Sequence, residues 1–106
     1  MFVAVYAWRV KPGKEAQFRE AWRRGTAAIT RIYGGLGSRL HQNVDGRFVG
    51  VAEWPDRETW KKAFAAKMVY DDPEARASFL DALDEATPGG APVFAMELTD
   101  DLLVRR

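Results

Sequence analysis

Alternating and helical periodicities follow one another along this chain in the order β-α-β-β-α-β. That order constrains the fold more tightly than any single motif. The first strand, Phe2 to Val10, places Val3, Val5 and Ala7 on one face and Phe2, Ala4, Tyr6 and Trp8 on the other. Both faces are apolar, which predicts a strand covered on both sides. Lys11-Pro12-Gly13 turns the chain into a helix whose apolar stripe is Phe18, Ala21, Trp22, Ala28, Ile29 and Ile32. Gly25 lies on that stripe, where it lowers helix propensity by ~1 kcal/mol and allows either a close approach of helix to sheet or space for a ligand. Gly34-Gly35 ends the helix. A second strand, Leu36 to Val44, and a third, Arg47 to Trp54, are joined by Asp45-Gly46, the signal of a two-residue hairpin. Gly50 and Ala52 are small residues inside the third strand, consistent with a close approach by another backbone or with a hollow above the sheet.

Asp56 is the expected N-cap of the next helix, with Trp60, Ala63, Phe64 and Met68 on its buried side. Asp71-Asp72-Pro73 interrupts, and a further helix is predicted from Glu74 to Ala86. Its stripe is Ala75, Phe79, Ala82, Leu83 and Ala86, and Pro88-Gly89-Gly90 breaks it. A last strand, Pro92 to Thr99, closes the pattern. The expected fold is α+β and ferredoxin-like: one domain over 1–106, a four-stranded antiparallel sheet, helices on one face. The apolar second face then requires a cover.

Composition narrows the function. Sixteen basic against fifteen acidic residues leave a net charge of +1, so bulk charge recruits neither nucleic acid nor an anionic membrane. The absence of cysteine removes disulfides and thiolate metal sites and leaves no need for an oxidising compartment. No apolar run approaches the ~20 residues of a spanning helix, and the N-terminal segment alternates as a strand does rather than reading as a leader. The expectation is a cytoplasmic protein.

Standard catalytic arrangements are missing. His41 is the single histidine, so no histidine metal site is expected. Asp71-Asp72 and Asp100-Asp101 lack the other positions of a calcium loop. Gly34-Gly35-Leu36-Gly37 follows a helix instead of opening one, the wrong context for dinucleotide binding. Ser38 and His41 have opposite parity in one strand and diverge. What remains is aromatic: four tryptophans, with Tyr6, Trp8, Phe48 and Trp54 on strands and Trp22, Trp60 and Phe64 on helices. They read either as core and dimer interface or as walls of an apolar cavity for a planar ligand. Arg39, His41, Asn43 and Glu53, on the paired second and third strands, are the polar groups expected to point at such a ligand. Arg39 and Glu53 have a structural alternative, a cross-hairpin ion pair.

The segments VYAWRVKPGKEAQFREAW and YGGLGSRLHQNVDGRFVGVAEWPDRETWKKAF resemble the antibiotic biosynthesis monooxygenase family of the dimeric α+β barrel superfamily. The resemblance covers residues 2 to 64 and the closing strand near 93 to 98. It implies a homodimer pairing its sheet faces into a barrel, with a pocket between sheet and helices in each subunit. It also implies oxidation of aromatic or quinol-type molecules by molecular oxygen without metal or prosthetic group. Haem-degrading relatives use an Asn on the first strand and a His in the second helical region. This chain has neither, so haem is not expected.

Three functions follow as expectations. The first is a cofactor-independent monooxygenase in which His41 or Tyr6 handles a proton, Arg39 stabilises an anionic oxygen, and Trp8, Trp54, Trp60, Phe64 and Asn43 hold the substrate. The second is a non-catalytic ligand-binding or dimerisation module. The third is an isomerase or lyase acting on a small lactone, for which His41 with Glu53 is the nearest acid–base pair. A cavity filled by Trp22, Phe64 and Phe79, or an Arg39–Glu53 pair, favours the module. An open cavity with unpaired polar groups favours the enzyme.

Overall fold

The computed structural model describes residues 1–85 and 90–104. Its strands are β1 (Phe2–Val10), β2 (Gly37–Gln42), β3 (Phe48–Trp54), β4 (Leu83–Glu85) and β5 (Phe94–Glu97). Its helices are α1 (Glu15–Tyr33), α2 (Arg57–Ala65) and α3 (Pro73–Ala82). The sheet order is β2-β3-β1, with β4 and β5 sharing the remaining edge of β1, and every pairing is antiparallel. This is the expected α+β ferredoxin-like arrangement with one strand more than predicted. β5 pairs with Phe2 to Val5, whereas β4 pairs with Arg9 and Val10.

The extra strand explains the one misjudged helix. Helical periodicity carries on to Ala86 in the sequence, but α3 ends at Ala82 and Leu83 turns extended. The backbone N–H of Lys11 donates to the Ala82 carbonyl at 2.9 Å, so the edge of β1 captures the chain as the helix ends. Ala86 and the Pro88-Gly89 break lie outside the described residues. The β2–β3 connection is also longer than a two-residue turn. The Asn43 and Gly46 groups close a turn at 2.9 Å (Gly46 N–H to Asn43 carbonyl), and Asn43 N–H reaches the Arg47 carbonyl at 2.7 Å. Gly46 takes φ 93°, the left-handed residue that ends a three-residue hairpin loop.

The helix starts follow their caps. Asp56 accepts from Thr59 N–H at 2.7 Å, and Asp72, just ahead of Pro73, accepts from Ala75 N–H at 3.0 Å. The α1 C-terminus stops on Gly34 at φ 77°. Met68, read as part of the α2 stripe, falls beyond the helix end. Lys67 and Met68 stand there at φ 58° and 47°, a left-handed pair without glycine that costs about 1–3 kcal/mol per residue.

The core divides into two clusters under α1. One gathers Phe2, Ala4, Trp54 and Ala63; the other gathers Phe18, Phe48, Ala82 and Leu83. Phe18 is the hub of the second, with ring centroids 5.1 Å from Phe48, 5.1 Å from Phe79 and 5.6 Å from Trp8. Among the described residues no helix or strand layer covers the opposite sheet face. Val3, Val5, Val49 and Val51 are half-buried there, while Phe94 and Met96 are 59% and 44% exposed. Among the described residues no helix is long and apolar enough to cross a membrane.

Two predictions follow from this packing. Phe18→Ala removes the hub ring from a fully buried site and lowers stability by about 3–5 kcal/mol in urea unfolding; a loss under 1 kcal/mol would contradict the assigned hub. The second concerns acid. Lys14 and Gln17 on the α1 side hold Asp81 of α3 at 2.6 and 2.9 Å, and these bonds lower its pKa from 3.8 to about 2. A depressed carboxylate contributes stability above its unfolded pKa and loses that contribution as pH falls through the folded value. Asp81→Asn therefore narrows the stability difference between neutral and strongly acidic pH, with the change concentrated between pH 3.8 and about 2.

Candidate functional site

Between the two core clusters the sheet carries small residues and the helix does too. Ala4 pairs with Ala52 and Tyr6 with Gly50 across β1 and β3, beneath Ala21 and Gly25 of α1. Small side chains on both layers leave a cavity of about 450 Å³, within the range of small-molecule sites. Tyr6, Trp8, Ala52 and Trp54 form its floor and end. Ala21, Trp22, Gly25, Thr26 and Ile29 form its roof. Phe64, Met68, Tyr70, Arg76 and Phe79 close its side. Gly50 belongs to the floor because Trp8 lies against it: a Cβ at Gly50 would sit 2.9 Å from the Trp8 ring and 3.6 Å from Trp22 Nε1. Trp8 is fixed by Tyr6, stacked at 6.1 Å and 12°, and by Phe79, edge-on at 5.6 Å.

Beside the hydroxyls of Thr26, Thr30 and Ser38, the polar groups here include Tyr6, Tyr70 and Arg76. Tyr6 accepts a hydrogen bond from Trp60 Nε1 at 3.2 Å, which orients the phenol and leaves its own hydrogen available. Burial pushes the Tyr6 pKa above its ordinary 10.0, with the Trp60 bond acting weakly the other way. Tyr6 is thus a neutral donor at physiological pH rather than a base. Burial also raises Tyr70, opposed by the nearby Arg76 charge. Arg76 forms no ion pair among the described residues. The Trp54 indole N–H is buried without a hydrogen-bond partner among them. No group of His, Cys, Asp and Glu able to hold a metal occurs among the described residues.

The sequence-derived site residues separate into two sets. Tyr6, Trp8, Trp54 and Phe64 line the cavity. Trp60 stands behind it, bonded to Tyr6 and stacked on Phe64 at 5.3 Å. Arg39 and His41 are not brought to the cavity. Leu40 pairs with Gly50 and packs on the helix-side cluster, so its neighbours Arg39 and His41, paired with Val51 and Val49, lie on the open face. Asn43 sits in the hairpin turn, bonded to Asp45. Of the four polar residues expected at the ligand, only Glu53 is among the lining residues, and its parity with Val49 and Val51 sets its side chain on the open face of the sheet. It forms no ion pair with Arg39.

Tyr70 and Arg76 escaped the sequence reading. Arg76 carries a signal in hindsight: it stands three residues before Phe79 and so shares its side of α3. Tyr70 carries none, because it occupies a connection with no periodicity.

The family model of antibiotic biosynthesis monooxygenases matches residues 1–71. No curated protein matches the chain. Among solved structures, SnoaB of Streptomyces nogalater, described as a cofactor-independent oxygenase, superposes with TM-score 0.66 at 16% identity, covering 95% of both chains. Rv0793 of Mycobacterium tuberculosis superposes with TM-score 0.61 at 16% identity over 97% of this chain and 100% of its own. An antibiotic-biosynthesis-monooxygenase-type protein of Nitrosomonas europaea gives TM-score 0.60 at 25% identity, over 81% of this chain and 90% of its own. At 16% identity the likeness is one of fold. The matched residues 1–71 run from β1 through α2 and the connection that carries Tyr70, and the chain belongs to the antibiotic biosynthesis monooxygenase family.

Proposed function

We propose that this protein is a cofactor-independent monooxygenase that oxidises an aromatic, quinol-type small molecule in the cavity between sheet and helices, in the cytoplasm and as a homodimer. The observation that carries the reading is the cavity itself. It is lined by aromatic rings on floor and side, and it is furnished with hydrogen-bond donors, Tyr6 and Arg76, for which no side-chain acceptor is found among the described residues. A planar ring system lying against the aromatic walls would bring oxygen atoms as their acceptors. The non-catalytic module was tied to a cavity plugged by Trp22, Phe64 and Phe79 or to an Arg39–Glu53 pair, and neither is found.

The mechanism needs only what such a site offers. A substrate with an acidic C–H beside a phenol or ketone gives up a proton to water, and its anion is stabilised where Tyr6 and Arg76 donate to the oxygen. That anion reduces molecular oxygen, a C–O bond forms, the peroxide anion takes a proton back from water, and the resulting hydroperoxide loses water to leave a carbonyl. One oxygen atom stays on carbon and the other departs as water. The protein contributes orientation and anion stabilisation. Tyr6, held neutral by burial, acts as the donor. His41 and Arg39, on the other face of the sheet, have no part in this scheme.

Dimerisation belongs to the same proposal. A second copy pairing its open face would cover Val3, Val5, Val49, Val51, Phe94 and Met96, which no layer covers among the described residues.

Oxygen-uptake measurements with an anthrone-type substrate test the chemistry. Tyr6→Phe, which keeps the ring, is expected to lower kcat/KM by about 100-fold. Arg76→Gln is expected to lower it in the same direction, while His41→Ala and Arg39→Ala stay close to wild type. Uptake indifferent to Tyr6→Phe would refute the assigned donor. For the assembly, sedimentation is expected to give two chains per particle at micromolar concentration for the wild type and one for Val5→Lys. A wild type that runs as a single chain would count against the face-to-face pairing.

A further inference from the structure

The segment between α2 and α3, residues 66–72, closes one side of the cavity through Lys67, Met68 and Tyr70. Its attachment is unlike that of the rest of the wall. Of these residues only Met68 joins a core cluster, and Val69 is 60% exposed. The segment is instead strapped onto α1 by polar contacts on the outside of the molecule. Arg24 holds Asp72 with two hydrogen bonds, at 3.0 and 2.8 Å. Arg31 holds Asp71 at 2.8 Å, and Tyr33 Oη donates to the Val69 carbonyl at 2.5 Å. Tyr70 sits over Gly25, the one position of α1 where a side chain would push it away. A Cβ there would come within 2.8 Å of its hydroxyl. The strap begins with the left-handed pair Lys67 and Met68, a backbone conformation that relaxes if the external contacts are released.

We propose that residues 66–72 form a gate over the cavity, latched by the Arg24–Asp72 and Arg31–Asp71 pairs and seated by Tyr70 on Gly25. Exposed ion pairs contribute little each and weaken with salt, so they make a latch that opens often without loss of the fold. A wall built on core packing would open only with global unfolding. The gate rests on the reading of the cavity as a ligand site, but its motion can be measured without a ligand.

The experiment compares the wild type with the double variant Arg24→Gln, Arg31→Gln and, separately, with Gly25→Ala. The glutamines leave the Asp72 cap of α3 in place. Alanine favours the helix over glycine and lifts Tyr70 without touching a charge. Hydrogen exchange read at the amides of Lys67, Met68 and Val69, which donate within the turn, is expected to accelerate about fivefold to tenfold in the double variant, with α1 and β3 unchanged. Gly25→Ala should accelerate the same amides. Stopped-flow quenching of tryptophan fluorescence by a neutral naphthoquinone is expected to show association and dissociation both faster in either variant, with the Kd little changed in the double variant. Salt at about 0.5 M should reproduce the acceleration in the wild type and add little in the double variant.

Unchanged exchange in both variants overturns the gate. So does faster exchange with unchanged quinone rates, because the segment would then move without controlling access. If the quinone does not bind the wild type, the ligand-site reading fails, and exchange alone upholds or overturns the motion.

Discussion

The structure depends on a core divided in two. Large rings hold α1 against the sheet at both ends: Phe18 on Phe48 at one, and the Trp54 cluster with its flanking Ile29 and Tyr33 at the other. Between them the facing residues are Ala and Gly on helix and strand alike. A protein interior is ordinarily filled to crystal density, and a chain selected for stability alone would place Leu or Ile at Ala21, Gly50 or Ala52. Keeping those positions small, while the flanking rings fix the separation of the layers, makes the hollow a consequence of packing rather than a flaw in it. Trp8 has a double part: it is cross-braced by Phe18 and Phe79, and its ring occupies the space where a side chain at Gly50 would be.

The same division explains the chemistry of the walls. Burial among apolar and aromatic side chains penalises an ionised phenol, and it raises Tyr6 accordingly. The group that results is a donor whose acceptor side is already taken by Trp60. A guanidinium group is a donor only, so Arg76 adds a second donor at the hollow. On the proposed function, the oxygen atoms of a quinol-type ring are their acceptors.

The sequence disclosed the order of the elements because period and turn chemistry are local properties. Phe18, Ala21 and Ala28 on one face of α1, Asp56 at a cap and Gly34 at a C-terminus all follow from spacing and backbone sterics. It disclosed the walls Tyr6, Trp8 and Trp54 because alternation along a strand sets their common face. It misassigned the face of β2. Parity alone states that Arg39 and His41 oppose Leu40; which of the two sides meets the helices is decided by the pairing of Leu40 with Gly50, a tertiary fact. The end of α3 failed for a related reason: the Leu83 periodicity suits a helix, but the vacant edge of β1 at Val10 takes the backbone into a ladder. Tyr70 was invisible because nothing local marks a residue whose place is set by the absence of a side chain on a helix forty-five positions earlier in the chain, at Gly25.

The polar residues of β2 then acquire a different meaning from the one their chemistry invites. β2 is an edge strand of the sheet, and an edge strand bare of charge is a template for unwanted pairing. Arg39 and His41 sit on its open face, exposed, while the valines of β1 and β3 beside them are half-buried. An apolar centre bordered by a polar margin is the anatomy of a protein–protein interface. On the proposed dimer, these two side chains limit how far a second sheet can spread and leave the β2 edge hydrated. Their distance from the cavity is therefore consistent with the fold: the helix side of the sheet carries the hollow and its donors, and the other side carries the surface through which two copies would meet.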